Sequence, residues 1–291
     1  MNMEKELKKF AASYENQVQE LLVLTSESVG GAGRVGKGPW KPSAEFLASV
    51  DLATGELIKG EGNLFWLAGD EDKDGWIFHL KPLTIYHIKC RAEKKKDSAK
   101  QQMNSTDAHG AVTSVKRPES YMLVEVVERE LRHPGLEQIL EEYQRVVEFT
   151  DELCGCFTLE RRFSWFSGEV DWLGQQCLVS LNCDQEGGET ADNALAYFKQ
   201  IYGNLQEFDK QFRQFAAEKL TKLANDWLEE EEEDGEITKD SFAERIGISE
   251  FVMESDGSYE VYYDDDDMFY GHVILIDGNM DTGMEDADIA G

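Results

Sequence analysis

The period of the apolar residues changes along this chain in blocks, not one element at a time. Two-residue alternation comes first, helical spacing follows in the middle, and alternation returns at the end. A parallel sheet of βαβ units needs strands and helices to take turns, so this order predicts an α+β protein. The expected architecture is a small β-barrel-like domain over residues 1–150, closed by a helix. A second domain over residues 151–291 is expected to be an antiparallel sheet packed with helices.

In the first half, residues 3 to 14 have Leu7, Phe10, Ala11 and Tyr14 on one helical face. QELLVLTSESV, NLFWLAG, WIFHLKPLTIYHIKCRA and YMLVEVVERE read as strands, with Pro82 interrupting the third. FLASVDLATGELIKG reads as a hairpin turning at Ala53 to Gly55. His133-Pro134 opens a helix carrying Leu136, Ile139, Leu140, Tyr143, Val146 and Val147. Five or six short strands and a helix suggest a barrel of the oligonucleotide-binding or SH3-like type. Residues 92 to 119 are polar, with Lys94, Lys95 and Lys96 in a row, and read as a long solvated loop.

In the second half, residues 157 to 184 read as three antiparallel strands, with Cys177, Val179, Leu181 and Cys183 on one face. Thr190 is placed to cap a helix ending at Tyr202. A second helix with the stripe Phe208, Phe212, Phe215, Leu220, Leu223 and Trp227 runs to about Leu228. Thr238 caps a third, with Ile237 and Phe242 at the positions of a hydrophobic staple. Asp256-Gly257 is a hairpin turn signal between two further strands. A last strand, MFYGHVILIDG, and a Gly- and Asp-rich tail close the chain.

Charge separates the halves. The first 150 residues hold 20 Lys and Arg against 24 Asp and Glu; the remainder holds 9 against 35. The second half therefore lacks the positive surface that phosphate backbones require, and suits a basic partner instead. The 15 Phe, 10 Tyr and 6 Trp supply apolar volume for two cores despite the charge. MNMEKELKKF is not a signal peptide, and no run approaches the ~18 apolar residues of a membrane span. Five scattered Cys without a secretion signal read as reduced thiols in a cytoplasmic protein.

Three segments carry a family resemblance: EVDWLG at 169–174, LANDWLE at 223–229 and GHVILIDGNMDTGMEDADIAG at 271–291. With them, the second half resembles DUF2262, an uncharacterised bacterial family, and the first half resembles the small domain usually fused ahead of it. The resemblance implies a bacterial, soluble, two-domain protein, and brings no catalytic residues with it. Domains similar to the small one are found near bacterial toxin and immunity genes.

Several motifs invite chemistry. Gly31, Gly33 and Gly36 complete a G-x-G-x-x-G, and Lys37 a G-x-x-x-x-G-K, but Pro39 and Pro42 forbid the helix that would receive a phosphate. The expectation is a connecting loop. Asp70, Asp72, Asp74 and Gly75 open like a calcium loop, yet its twelfth position is Lys81 and Trp76 to Leu80 reads as strand. In the tail, Asp277, Asn279, Asp281 and Glu285 alternate oxygens around two glycines and form the candidate metal site, for calcium. His272 lies downstream of the tract Asp264, Asp265, Asp266 and Asp267, where a His-Asp pair is conceivable. That tract is also the candidate contact for a partner, read as a solvated strand end. Lys89, Arg91 and the three lysines, with Trp66, Trp76 and Tyr86, form a candidate nucleic-acid face.

The functional expectation is a non-enzymatic bacterial protein that binds a basic protein, in an immunity-like or inhibitory role. The rival readings are a metal-dependent hydrolase using His272 and the C-terminal acids, and a nucleic-acid binder acting through the barrel.

Overall fold

The computed structural model describes residues 3–34, 36–94, 119–227 and 236–291. The chain forms two compact units, meeting in sequence at Arg145 and Val146. Among the described residues it is α+β, with five α-helices, a closed five-stranded barrel in the first unit and an eight-stranded sheet in the second.

The first unit runs α1 (Met3–Ala11), β1 (Gln19–Arg34), β2 (Trp40–Asp51), β3 (Leu57–Phe65), β4 (Ile85–Ala92), β5 (Glu119–Arg129) and α2 (Pro134–Gln144). The barrel closes in the order β1-β2-β3-β5-β4, with only β3 and β5 parallel. That order is of the oligonucleotide-binding type. Val23, Phe46, Leu64, Tyr86, Ile88 and Leu123 fill the interior. A second apolar cluster of Leu24, Ala48, Val50 and Ile85 is covered by Leu136 of α2. His133 caps that helix, its Nδ1 accepting from the Leu136 N–H at 3.4 Å.

Three local expectations are corrected. The helix opened by His133 ends at Gln144, where Arg145 turns extended, so Val146 and Val147 lie beyond it. The glycine segment is not all loop: Gly30 to Arg34 belong to the end of β1, with Gly31 opposite Ser43 and Arg34 opposite Trp40. Register shifts and a left-handed Gly30 (φ 81°) let the strand bend while it continues. Conversely, Trp76 to Leu80 is not a strand. Trp76, Ile77 and His79 have φ of 50°, 76° and 45°, which no strand accepts. The segment instead turns Trp76, Phe78 and Leu80 against the barrel core. It is held by the Trp66 indole N–H to the Trp76 carbonyl (2.6 Å) and by Thr25 to Lys81 and Thr84. Most of the expected loop at 92–119 lies outside the described residues.

The second unit begins with four consecutive antiparallel strands, β6 (Glu148–Asp151), β7 (Gly155–Glu160), β8 (Trp165–Trp172) and β9 (Gln175–Asn182). Three helices follow, α3 (Asp192–Tyr202), α4 (Leu205–Trp227) and α5 (Lys239–Arg245). A second antiparallel set, β10 (Gly247–Met253), β11 (Ser258–Asp264), β12 (Val273–Asn279) and β13 (Gly283–Ala290), completes one sheet in the order 13-12-11-10-9-8-7-6. The sheet is not wholly antiparallel: β10 lies parallel to β9, because the helices carry the chain back over the sheet before it re-enters. The tail is not irregular, since Gly283–Ala290 pairs with β12 as an edge strand.

The helices cover one face only. Cys177, Val179 and Leu181 of β9, Phe251 of β10, Val261 of β11 and Ile274 and Ile276 of β12 pack there with Phe198, Phe212, Leu220 and Phe242. Phe251 is the hub, its ring 5.4–6.4 Å from those of Trp172, Phe198, Phe212 and Tyr259. Thr238 caps α5 as expected, accepting from the Ser241 N–H at 3.1 Å. Thr190 does not cap α3. Asp184 does, accepting from the N–H groups of Asp192 (3.0 Å) and Asn193 (2.9 Å) and from the Thr190 hydroxyl (2.7 Å).

Candidate functional site

Strand alternation puts every second residue of β8–β13 on the face away from the helices. Register then arranges those residues in rows across the sheet. One row reads Ser167, Ser180, Val252, Glu260, Asp277 and Asp286, each opposite the next on the neighbouring strand. The adjoining row reads Glu169, Leu178, Glu250, Tyr262, Leu275 and Asp288. On the other side Trp165 faces Asn182, whose amide bonds Glu254. Thus Glu260, Asp277 and Asp286 are direct cross-strand neighbours of like charge, an arrangement that destabilises a sheet. No Lys or Arg follows Arg245 in the sequence, so β10–β13 hold no cation of their own. Among the described contacts, Lys219 of α4 reaches Asp286, at 3.2 Å, on the edge strand.

The electrostatics follow. Partial burial and then Glu260, Asp286, Glu285 and Asp288 push the Asp277 carboxyl above its ordinary range. Burial and then Glu260 do the same to Glu250. Burial, a hydrogen bond to Glu260 and its charge raise the Tyr262 phenol, which donates to Glu260 at 2.5 Å. A carboxyl raised on folding contributes stability that is whole below the unfolded value of about 4 and is lost as pH rises through the folded value. For these two carboxyls, acidifying through their folded values is therefore expected to raise the melting temperature, against the opposite contribution of Asp151, Asp184 and Asp286, whose carboxyls are lowered. Asp277→Asn should raise it at pH 7 and flatten that slope, as thermal scans across the range would record. A melting temperature that falls on Asp277→Asn would contradict the repulsion.

The four acids of the 264–267 tract do not act together. Asp264 ends β11 in solvent. Asp265 is not solvated: it is 4% exposed and accepts N–H groups from Asp267 (3.2 Å), Phe269 (2.6 Å) and Gly271 (3.2 Å). Asp266 pairs with Arg245 at 2.7 Å. Only Asp264 and Asp267 point outward without a structural task among the described contacts.

His272 immediately precedes β12, its Nδ1 against the Phe269 carbonyl (2.6 Å) and its ring edge-on to Trp227. Of the tail acids, Asp277 lies five residues on, roughly 17 Å along the strand, whereas Asp264 of the tract is paired with Val273, next to His272. The candidate metal ligands lie along the β12–β13 hairpin and its turn. Asp277 sits in the row of acids, and Asn279 bonds Ser258 and the Asp281 N–H across the turn. Glu285 takes the Thr282 hydroxyl on β13. Among the described residues, no group of three or more His, Cys, Asp or Glu is placed to hold a metal ion.

In the first unit, Asp70 is occupied by Arg34, Lys73 and the Trp40 indole, and Asp72 accepts the Gly69 N–H, so no calcium loop forms. The proposed nucleic-acid face is dispersed. Trp66 and Tyr86 are inside the barrel, Lys89 pairs with Glu125, and Arg91 and Lys94 bond the carbonyls of Glu15 and Ala12. Lys95 and Lys96 lie outside the described residues. The five cysteines are free thiols, and burial pushes those of Cys90, Cys154 and Cys177 up to about 12, far from thiolate chemistry at neutral pH.

The match of residues 151–289 to the model of an uncharacterised protein conserved in bacteria covers the whole sheet face just described. The second unit belongs to the DUF2262 family. Residues 6–143, spanning the barrel, match DUF7021, another domain of unknown function. No curated protein and no solved structure matches the chain. In this DUF2262 unit the three family-like segments have structural work. Trp172 of EVDWLG donates to Asp209, Asn225 of LANDWLE clamps the Ile237 backbone, and the last segment is the β12–β13 hairpin. Glu250, Glu260 and Asp288 were not singled out from the sequence. Their signal is present there as acids at the polar parity of four strands that contain no cation. No helix in the described residues is long and apolar enough to cross a membrane.

Proposed function

We propose that the second unit is a non-enzymatic module of a cytoplasmic bacterial protein, binding a basic protein in an immunity-like or inhibitory role. The observation that carries this reading is the sheet face of β10–β13 away from the helices, on which carboxylates stand opposite one another and Lys219 reaches Asp286 from outside. A cationic surface would relieve the repulsion as it binds, so charge would act both in steering encounter and in the complex. The separation of His272 from the tail acids favours binding over hydrolysis in this reading.

The test is affinity capture from the native lysate at low and high salt, followed by kinetics with the captured protein. The partner should be basic, and its association should slow roughly tenfold as salt rises past physiological strength, where the Debye length is already ~8 Å. A captured partner that is acidic, or an association rate indifferent to salt, would overturn the proposal.

A further inference from the structure

The same face carries a second irregularity. Three buried polar atoms on β8 and β9 find no hydrogen-bond partner: the Trp165 indole Nε1, the Ser180 Oγ and the Asn182 Oδ1. Ser180 is 1% exposed. All three belong to the parity opposite Phe166, Val179 and Leu181, which face the helices. Trp165 and Asn182 are direct neighbours across the two strands, and Ser180 begins the run that continues through Val252 to Glu260 and Asp277. Their side-chain neighbours on this face include Glu160, which Ser167 bonds, and Glu254, which the Asn182 amide bonds.

Unsatisfied polar atoms and like-charge pairs each cost stability, and sheets ordinarily avoid both. Here they adjoin on one surface, the pattern expected where a fold gives up stability for recognition. A donor, a hydroxyl and an acceptor beside a ladder of acids match a polypeptide, which offers backbone C=O and N–H groups alongside its cations.

We infer that the open face from β8 to β13 seats an extended Lys- and Arg-rich segment of the partner protein. Its cations lie over Glu250, Glu260 and Asp277, and its polar backbone groups meet Trp165, Ser180 and Asn182. This rests on the basic-partner reading and adds to it the site and the form of the ligand.

The experiment is fluorescence anisotropy of a labelled peptide alternating Arg and Ser on the full chain, with thermal unfolding of each variant. Glu260→Gln with Asp277→Asn should weaken the peptide roughly tenfold or more while raising the melting temperature. Ser180→Ala should likewise weaken binding severalfold and raise the melting temperature. Glu218→Gln with Asp226→Asn removes equal charge from exposed positions of α4 and should change affinity by less than about twofold. Equal losses from both pairs would overturn the seat while leaving the basic-partner reading standing. So would failure of the peptide to bind a chain that still associates with its captured protein. Spermine that displaces the peptide as well as unlabelled peptide does, charge for charge, would overturn the need for a polypeptide.

Discussion

Asp209→Ala is expected to remove about 3–5 kcal/mol of stability, a large share of the roughly 5–15 kcal/mol by which a domain is stable. Asp209 is 6% exposed on α4 and accepts from the Trp172 indole (2.9 Å), the Tyr263 hydroxyl (3.2 Å) and the Arg213 guanidinium (2.7 Å). Arg213 also donates to the carbonyls of Ala243 and Ile246, at the end of α5. One carboxylate thus ties α4 to β8 and β11, and through Arg213 to α5. Burial, and then Asp209, push the Tyr263 phenol far above its ordinary range, so it remains a donor at any working pH. Truncating Asp209 leaves a largely buried guanidinium without its counter-charge and two buried donors without an acceptor, which is the costly way to break such a pair. Replacing both charges, as Asp209→Leu with Arg213→Met, should cost less than the single change. Urea unfolding should report both through the midpoint, with the slope unchanged. A single-variant loss below about 1 kcal/mol would mean the network is not the clasp its geometry describes.

Asp265→Ala should be the most damaging substitution in the 264–267 tract, at about 3 kcal/mol, because three N–H groups lose their acceptor together. The turn it holds is demanding: Asp266, Asp267 and Tyr270 have φ of 49°, 62° and 56°, and Gly271 83°. Tyr270 then stacks on Trp227 and bonds its carbonyl (3.0 Å), fixing the end of α4. Asp264→Asn and Asp267→Asn should change stability by less than about 0.5 kcal/mol. Differential scanning calorimetry of the three single variants separates these cases, and equal effects would return the tract to the status of a solvated acidic run. The same result cautions against neutralising all four acids at once in a binding experiment, since a lost complex would then reflect a lost turn.

What the sequence made legible follows from how locally each signal is written. The Thr238 cap, the Ile237–Phe242 staple and the Asp256-Gly257 turn each span a few residues, and all stand where they were expected. Asp184 was missed as the cap of α3 because it reaches across a loop, and Thr190, the local candidate, bonds Asp184 instead. Trp76 to Leu80 alternates as a strand does, but burial against the barrel core outweighed the pattern. The row of acids is the instructive case. Alternation indicates that Glu260, Asp277 and Asp286 avoid the core, yet only the register of β11, β12 and β13 sets them side by side. Register is a property of paired strands, so a string of residues shows the charge without its alignment.

The parallel seam between β9 and β10 has a consequence for how the molecule is made. Each set of four strands is built of hairpins that close quickly, whereas the seam joins segments separated by three helices and waits on a far longer loop closure. During synthesis the chain up to α5 emerges with β9 as a bare edge, and Val179 and Leu181 lack the Phe251 and Met253 that will lie beside them. Until the last strands arrive, that edge is the nascent chain's most adhesive surface. A stop codon shortly after Arg245 would leave it so permanently, and such a product would be a substrate for chaperones and proteases.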